Sequence, residues 1–151
     1  MSLETVLTRL TAYPDVMDFK SPAGEEELNR YEKETGLVIP GPLRELLRFS
    51  NGGEIFVPGT VFFGTEKDAL VPDLAGANGA GYFGDGVHIP GDLLVFACFC
   101  FGDPVCISTD GTGAVIQWDL EEDEVYLVWD SLEDFLEDSI EDYEVSLNES
   151  C

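Results

Sequence analysis

Apolar positions in the first third of the chain recur with the period of a helix. Leu3, Val6, Leu7 and Leu10 fall on one helical face behind Ser2, a good N-cap, and Tyr13-Pro14 ends the run. Residues 16–20 read as an extended connector. Ser21-Pro22 then predicts the start of a second helix, a cap followed by proline at the first helical position. Glu25, Glu26 and Glu27 follow in the early turns, where the helix dipole favours anions. Leu28, Tyr31 and Thr35 carry one face on to Gly36. Leu37-Val38-Ile39 leads into Pro40-Gly41-Pro42, and Leu43, Leu46, Leu47 and Ser50 share one face of a third, short helix closed by Asn51-Gly52-Gly53. Gly36 and Gly52 suit the left-handed position after a helix, and Pro42 suits a first turn. Residues 36–53 thus specify two helices joined by a stiff elbow.

After Gly53 the period shortens to that of strands. Residues 55–57 and 61–63 flank Pro58-Gly59, residues 93–101 form a strongly apolar strand, and residues 105–108, 114–119 and 125–129 follow behind turns at Gly102-Asp103-Pro104, Asp110-Gly111 and Glu121-Glu122-Asp123. Residues 66–74 are ambiguous, with room for one helical turn or two. Residues 76–86 hold five glycines and read as a loop. Asp130-Ser131 caps a closing helix with Leu132, Phe135, Leu136, Ile140 and Tyr143 on one side. Its other side carries Glu133, Asp134, Glu137, Asp138, Glu141 and Asp142. Helices and strands that segregate rather than alternate predict an α+β fold. The N-terminal helices pack on one mainly antiparallel sheet of about four to six strands, and a C-terminal helix closes it. No internal repeat or linker interrupts the pattern, so a single domain is expected over residues 1–151.

Charge sharpens this picture. The chain has 151 residues and a formal net charge of -24. All seven basic residues lie in the first 67 positions, where 11 acids leave a net of -4; residues 68–151 carry 20 acids and neither Lys nor Arg. Such a half offers phosphates no cationic track, which argues against nucleic acid and anionic membranes as partners. The sequence starts with no basic leader and apolar core, and no apolar run reaches the roughly 20 residues needed to span a bilayer. A cytoplasmic protein is expected, with Cys98, Cys100, Cys106 and Cys151 as reduced thiols.

Candidate chemistries are weak. His88 is the only histidine, and it would need a nucleophile whose pKa nearby cations depress; the second half has none. By strand alternation Cys98 and Cys100 share a face, and a turn at residues 102–104 would set Cys100 opposite Cys106. The C-x-C-x₅-C spacing lacks the paired knuckles of structural zinc sites, so these thiols read as core residues. Gly79-Ala80-Gly81-Tyr82-Phe83-Gly84 is a literal G-x-G-x-x-G, but a strand rather than a helix follows it, and it reads as a chance match. Residues 119–124 hold five acids without the spaced ligands of a calcium loop. No catalytic residue, metal ligand or cofactor is expected.

Several of these motifs carry a resemblance. Gly36, then Ile39-Pro40, a short helix and Asn51-Gly52-Gly53 resemble the signature of the SUKH superfamily, the Smi/Knr-type proteins. Gly102-Asp103-Pro104 is similar to that family's Gly-Asp turn. The stretch from Val115-Ile116-Gln117-Trp118-Asp119 to Ser131-Leu132-Glu133-Asp134-Phe135-Leu136 resembles its last strands and closing helix. The likeness runs over about residues 21–136. Pro42 stands where relatives more often have a polar residue, and the glycine-rich loop has no counterpart.

The resemblance implies a non-enzymatic immunity protein that neutralises a cognate toxin of a bacterial polymorphic toxin system. The alternative is a regulatory or scaffold module of Smi/Knr type. It offers no catalytic residues, and Gly36, Ile39, Pro40, Asn51, Gly52, Gly53, Gly102 and Asp103 enter as fold-signature positions. The acidic half points to a basic toxin domain, such as a nuclease, bound by a monomer or weak homodimer. The candidate contact residues are Tyr82, Phe83, Asp110, Asp119, Glu121, Glu122, Asp123, Glu124, Tyr126 and Asp130.

Overall fold

The structure, a computed structural model, describes residues 2–149; Met1, Ser150 and Cys151 lie outside the described residues. The Ser2 hydroxyl accepts the Thr5 amide at 3.2 Å and opens helix α1 (Leu3–Leu10), whose four periodic leucine and valine positions are all buried. Helix α2 (Glu25–Thr35) begins later than Ser21-Pro22 suggests, with Gly24 at its N-cap. The reason is non-local. The Ser21 carbonyl accepts the Asn51 amide at 3.1 Å, and the Ala23 amide donates to the Leu47 carbonyl at 2.9 Å, so this stretch is held extended against the next helix. Gly36, at φ 77°, terminates α2, and helix α3 (Gly41–Phe49) follows with Pro42 in its first turn.

The elbow between them is bound through Glu32. One carboxylate oxygen accepts the Ile39 amide at 2.7 Å and the other accepts from Arg44 at 2.7 Å. Arg44 also donates to Glu25 at 2.9 Å and Asn29 at 2.8 Å, so one guanidinium joins α2 to α3. Its side chain is only 18% exposed, a setting in which charge-assisted bonds exceed the worth of surface pairs.

Seven strands form one sheet in chain order, each paired antiparallel with the next: β1 (Met17–Phe19), β2 (Gly53–Ile55), β3 (Thr60–Phe62), β4 (Leu93–Phe99), β5 (Pro104–Ser108), β6 (Val115–Asp119) and β7 (Glu124–Trp129). The α+β expectation holds, with one strand more than its upper range. Residues 16–20, read as a connector, supply it, because Met17 pairs with Ile55 and Phe19 with Gly53. Strand β2 ends at Ile55; Phe56 takes a left-handed φ of 53° and starts the turn. Gly53, at φ 133°, lies so close to the Asp18 carbonyl oxygen that a Cβ would collide with it.

The register sorts the sheet's two faces. Phe62, Ala97, Val105, Ile107 and Val115 share one face, which receives α1, α3 and helix α5 (Leu132–Glu149). Phe135 of α5 is its centre, with ring contacts to Phe96 at 6.2 Å, Phe99 at 6.1 Å and Trp129 at 4.8 Å. The opposite face carries Cys98, Cys106, Ile116 and Trp118. The expected Cys100–Cys106 opposition is corrected here. The turn closes at residues 99–102, so Cys98 faces Pro104, and beyond it a bulge between Val95 and Ala97 sets Cys106 opposite Val95. Strand β4 stops at Phe99, leaving Cys100 exposed in the turn. Burial alone pushes the Cys106 thiol up to about 12, the behaviour of a small apolar core residue.

Candidate partner-binding surface

The acidic half ends in a hairpin whose tip is internally braced. Asp119 accepts the Glu121 amide at 2.9 Å and the Glu122 amide at 3.2 Å, which closes the turn between β6 and β7. Asp123 accepts the backbone amide of His88 at 2.7 Å and, through its other oxygen, contacts the His88 imidazole Nδ1 at 2.7 Å. Asp123 also accepts the Trp118 indole N–H at 3.0 Å. The His88 amide and ring, then the indole, hold the Asp123 carboxyl below its usual range. His88 is therefore a clamp residue on the surface, and Asp123 is occupied internally rather than offered to a partner.

That clamp gives the glycine-rich loop a role. Residues 79–90 lie over the sheet face opposite the helices, with Tyr82 set edge-on to Phe83 at 4.8 Å. Phe83 and Ile89 pack against the core, while Tyr82 stays half exposed. Ahead of the loop, the short helix α4 (Leu74–Ala77) ends at Asn78, whose side chain takes the place of a strand. It donates to the Val95 carbonyl at 2.8 Å and accepts the Val95 amide at 2.9 Å, continuing the ladder beyond β3. An open cleft of about 500 Å³ between this loop and Leu37-Val38 has no charged residue in its lining.

The signature positions bind the chain to itself. Asn51 accepts the Thr65 amide at 2.9 Å and donates to Thr65 Oγ1 at 2.8 Å, and the Thr65 hydroxyl reaches Glu27 at 2.8 Å. Asn51, Gly52 and Gly53 line a second cleft of about 450 Å³ with Lys20, Lys67, Glu27 and Glu54. Asp103, in the Gly102 turn, accepts from Gln117 at 3.0 Å and from the Leu120 amide at 3.2 Å. Both motifs act as internal brackets.

Strand β7 is the feature the sequence left hidden. It is the last strand of the sheet, and Val125, Tyr126, Leu127 and Val128 are 46%, 62%, 47% and 58% exposed. A second bulge, between Gln117 and Trp118, shifts the pairing so that Tyr126 is the extra residue. Glu121, Glu122, Glu124 and Asp130 are exposed around this apolar strip. Asp110 lies at the far end of β5, where it accepts the Thr112 amide at 2.9 Å. The sequence-predicted residues thus separate: Glu121, Glu122, Glu124, Tyr126 and Asp130 surround one edge. Tyr82 and Phe83 belong to the loop-covered face, and Asp103, Asp119 and Asp123 brace turns.

Among the described residues, no three of His, Cys, Asp and Glu converge as a metal site, and no helix is long and apolar enough to cross a membrane. Residues 22–138 match the model of the SMI1 / KNR4 family (SUKH-1). A comparison with curated proteins gives no match.

Proposed function

Because the chain belongs to the SMI1 / KNR4 family (SUKH-1), we propose that it is a non-enzymatic binding protein of immunity type, which occludes a basic toxin domain such as a nuclease. In this reading the whole chain works as one domain in the cytoplasm. The observation that carries it is the exposed apolar strip of β7 rimmed by Glu121, Glu122, Glu124 and Asp130, in a half of the chain with a formal charge of -20 and no Lys or Arg. The apolar residues supply burial at the centre of a contact, and the acidic rim steers a cationic partner toward it. Such steering accelerates encounter by about 10 to 10³-fold at low salt and fades as ionic strength rises.

Co-expression with the product of a toxin gene lying immediately upstream tests the proposal. Growth is restored and the two proteins co-purify if the reading is right. Unrelieved toxicity, or association that ignores salt, contradicts it. The regulatory, scaffold-type alternative implies no toxin gene beside this one.

A further inference from the structure

The backbone of β7 is available as well as its side chains. The Ser108 amide donates to the Ala114 carbonyl at 2.8 Å, which sets the alternation of ladder bonds between β5 and β6. Ala114 thus turns its backbone toward β5 and Val115 turns toward β7. Trp129, opposite Val115, turns toward β6, and Val128 presents its N–H and C=O away from the sheet. Val128 lies opposite Ile116, on the loop-covered face, and Leu127 lies opposite Gln117, on the helix face. An added strand would therefore meet outward backbone groups with exposed apolar side chains on both faces.

We infer that β7 accepts an eighth strand: an extended, cationic segment of the partner protein pairs with it main chain to main chain. This rests on the binding role proposed above and specifies its geometry. Charge selects the occupant. Glu121, Glu122 and Glu124 stand at one end of β7, and Asp130 and Asp134 at the other, all exposed. Antiparallel pairing of two β7 strands would bring the acidic tip of one copy against Asp130 and the start of α5 in the other, and like charges placed opposite disfavour it. A segment with Lys or Arg at its ends and apolar residues between them satisfies the same positions. The six residues of β7 match a partner segment about 20 Å long.

Amide hydrogen exchange on the isotope-labelled protein tests this, using a blocked peptide of about eight residues with Lys at both ends and Val and Thr between them. At low salt the Val128 amide is expected to exchange about tenfold more slowly with peptide present. A peptide of the same sequence, N-methylated at alternate residues on its pairing edge, keeps charge and side chains but lacks the donors, and should leave Val128 unchanged. Binding without slowed exchange at Val128, or equal binding by the methylated peptide, overturns strand addition and leaves the immunity reading standing. Absence of binding at low salt also overturns it. Protection of Val128 that rises with protein concentration without peptide identifies a second copy as the occupant, and rejects the cationic segment. The toxin co-expression assay fails or succeeds independently of all these outcomes.

Discussion

The sheet has two edges, and they are finished in opposite ways. Strand β1 is three residues long, and its exposed Asp18 pairs with Lys20 at 3.6 Å. Beyond it the Lys20 amide donates to Ser50 Oγ at 2.8 Å, and at its start the Val16 carbonyl accepts the Val57 amide at 2.9 Å. Short, charged edges resist pairing with another chain. Strand β7 is twice as long and shows four consecutive exposed apolar residues. On the binding role proposed above, the difference assigns the contact to β7. The edge beside Asn51-Gly52-Gly53 is short and charged, and the edge in the acidic half is long and apolar with charge at both ends.

The largest expected effect comes from removing what holds β7 in place. Phe135→Ala empties the contact between α5, Phe96, Phe99 and Trp129 and should cost about 3–5 kcal/mol in denaturant unfolding. Gly53→Ala attacks the closed edge instead. Its Cβ collides with the Asp18 carbonyl at φ 133°, so a loss of about 1–3 kcal/mol is expected, with broken β1–β2 pairing and an intact β6–β7 hairpin by NMR. Acidification should then loosen the hairpin tip. The Asp123 carboxyl titrates below its ordinary 3.8, so its clamp is complete above that value and is lost as pH falls through the lower native one. The Trp118 indole resonance should shift in that acidic window. Smallest in stability is Val128→Lys, within about 0.5 kcal/mol of the parent because the side chain already faces solvent. Yet it should weaken association with a basic partner more than any of the others that remain folded.

Much of this contrast was legible in the sequence, and the remainder was not for identifiable reasons. Helical spacing and the Gly36–Gly53 punctuation located α1 and α3, since those signals are local. Strand β1 and the late start of α2 depend on Ser50, Leu47 and Gly53 acting across the chain, which no local pattern displays. Val125-Tyr126-Leu127-Val128-Trp129 reads as a strand, and only the strand order reveals that it is an exposed edge. Tyr126 was identifiable as an aromatic, whereas Val125, Leu127 and Val128 carried no distinguishing signal. Asp123 looked equivalent to its acidic neighbours; its engagement with His88 and Trp118 required the loop to fold back over the sheet. Cys100 was misplaced because the turn closes at residues 99–102, before the Gly102-Asp103-Pro104 position that the sequence suggests.

The central claim is that the open edge, and not the signature cleft, receives the partner. Amide chemical-shift mapping of the labelled protein bound to the basic toxin domain proposed as its partner tests it most directly. The account predicts the largest changes at residues 121–130, strongest at Tyr126 and Val128, with Asn51 and Gly52 unmoved. Changes concentrated in the cleft around Asn51, Gly52 and Lys67, with β7 silent, would contradict it.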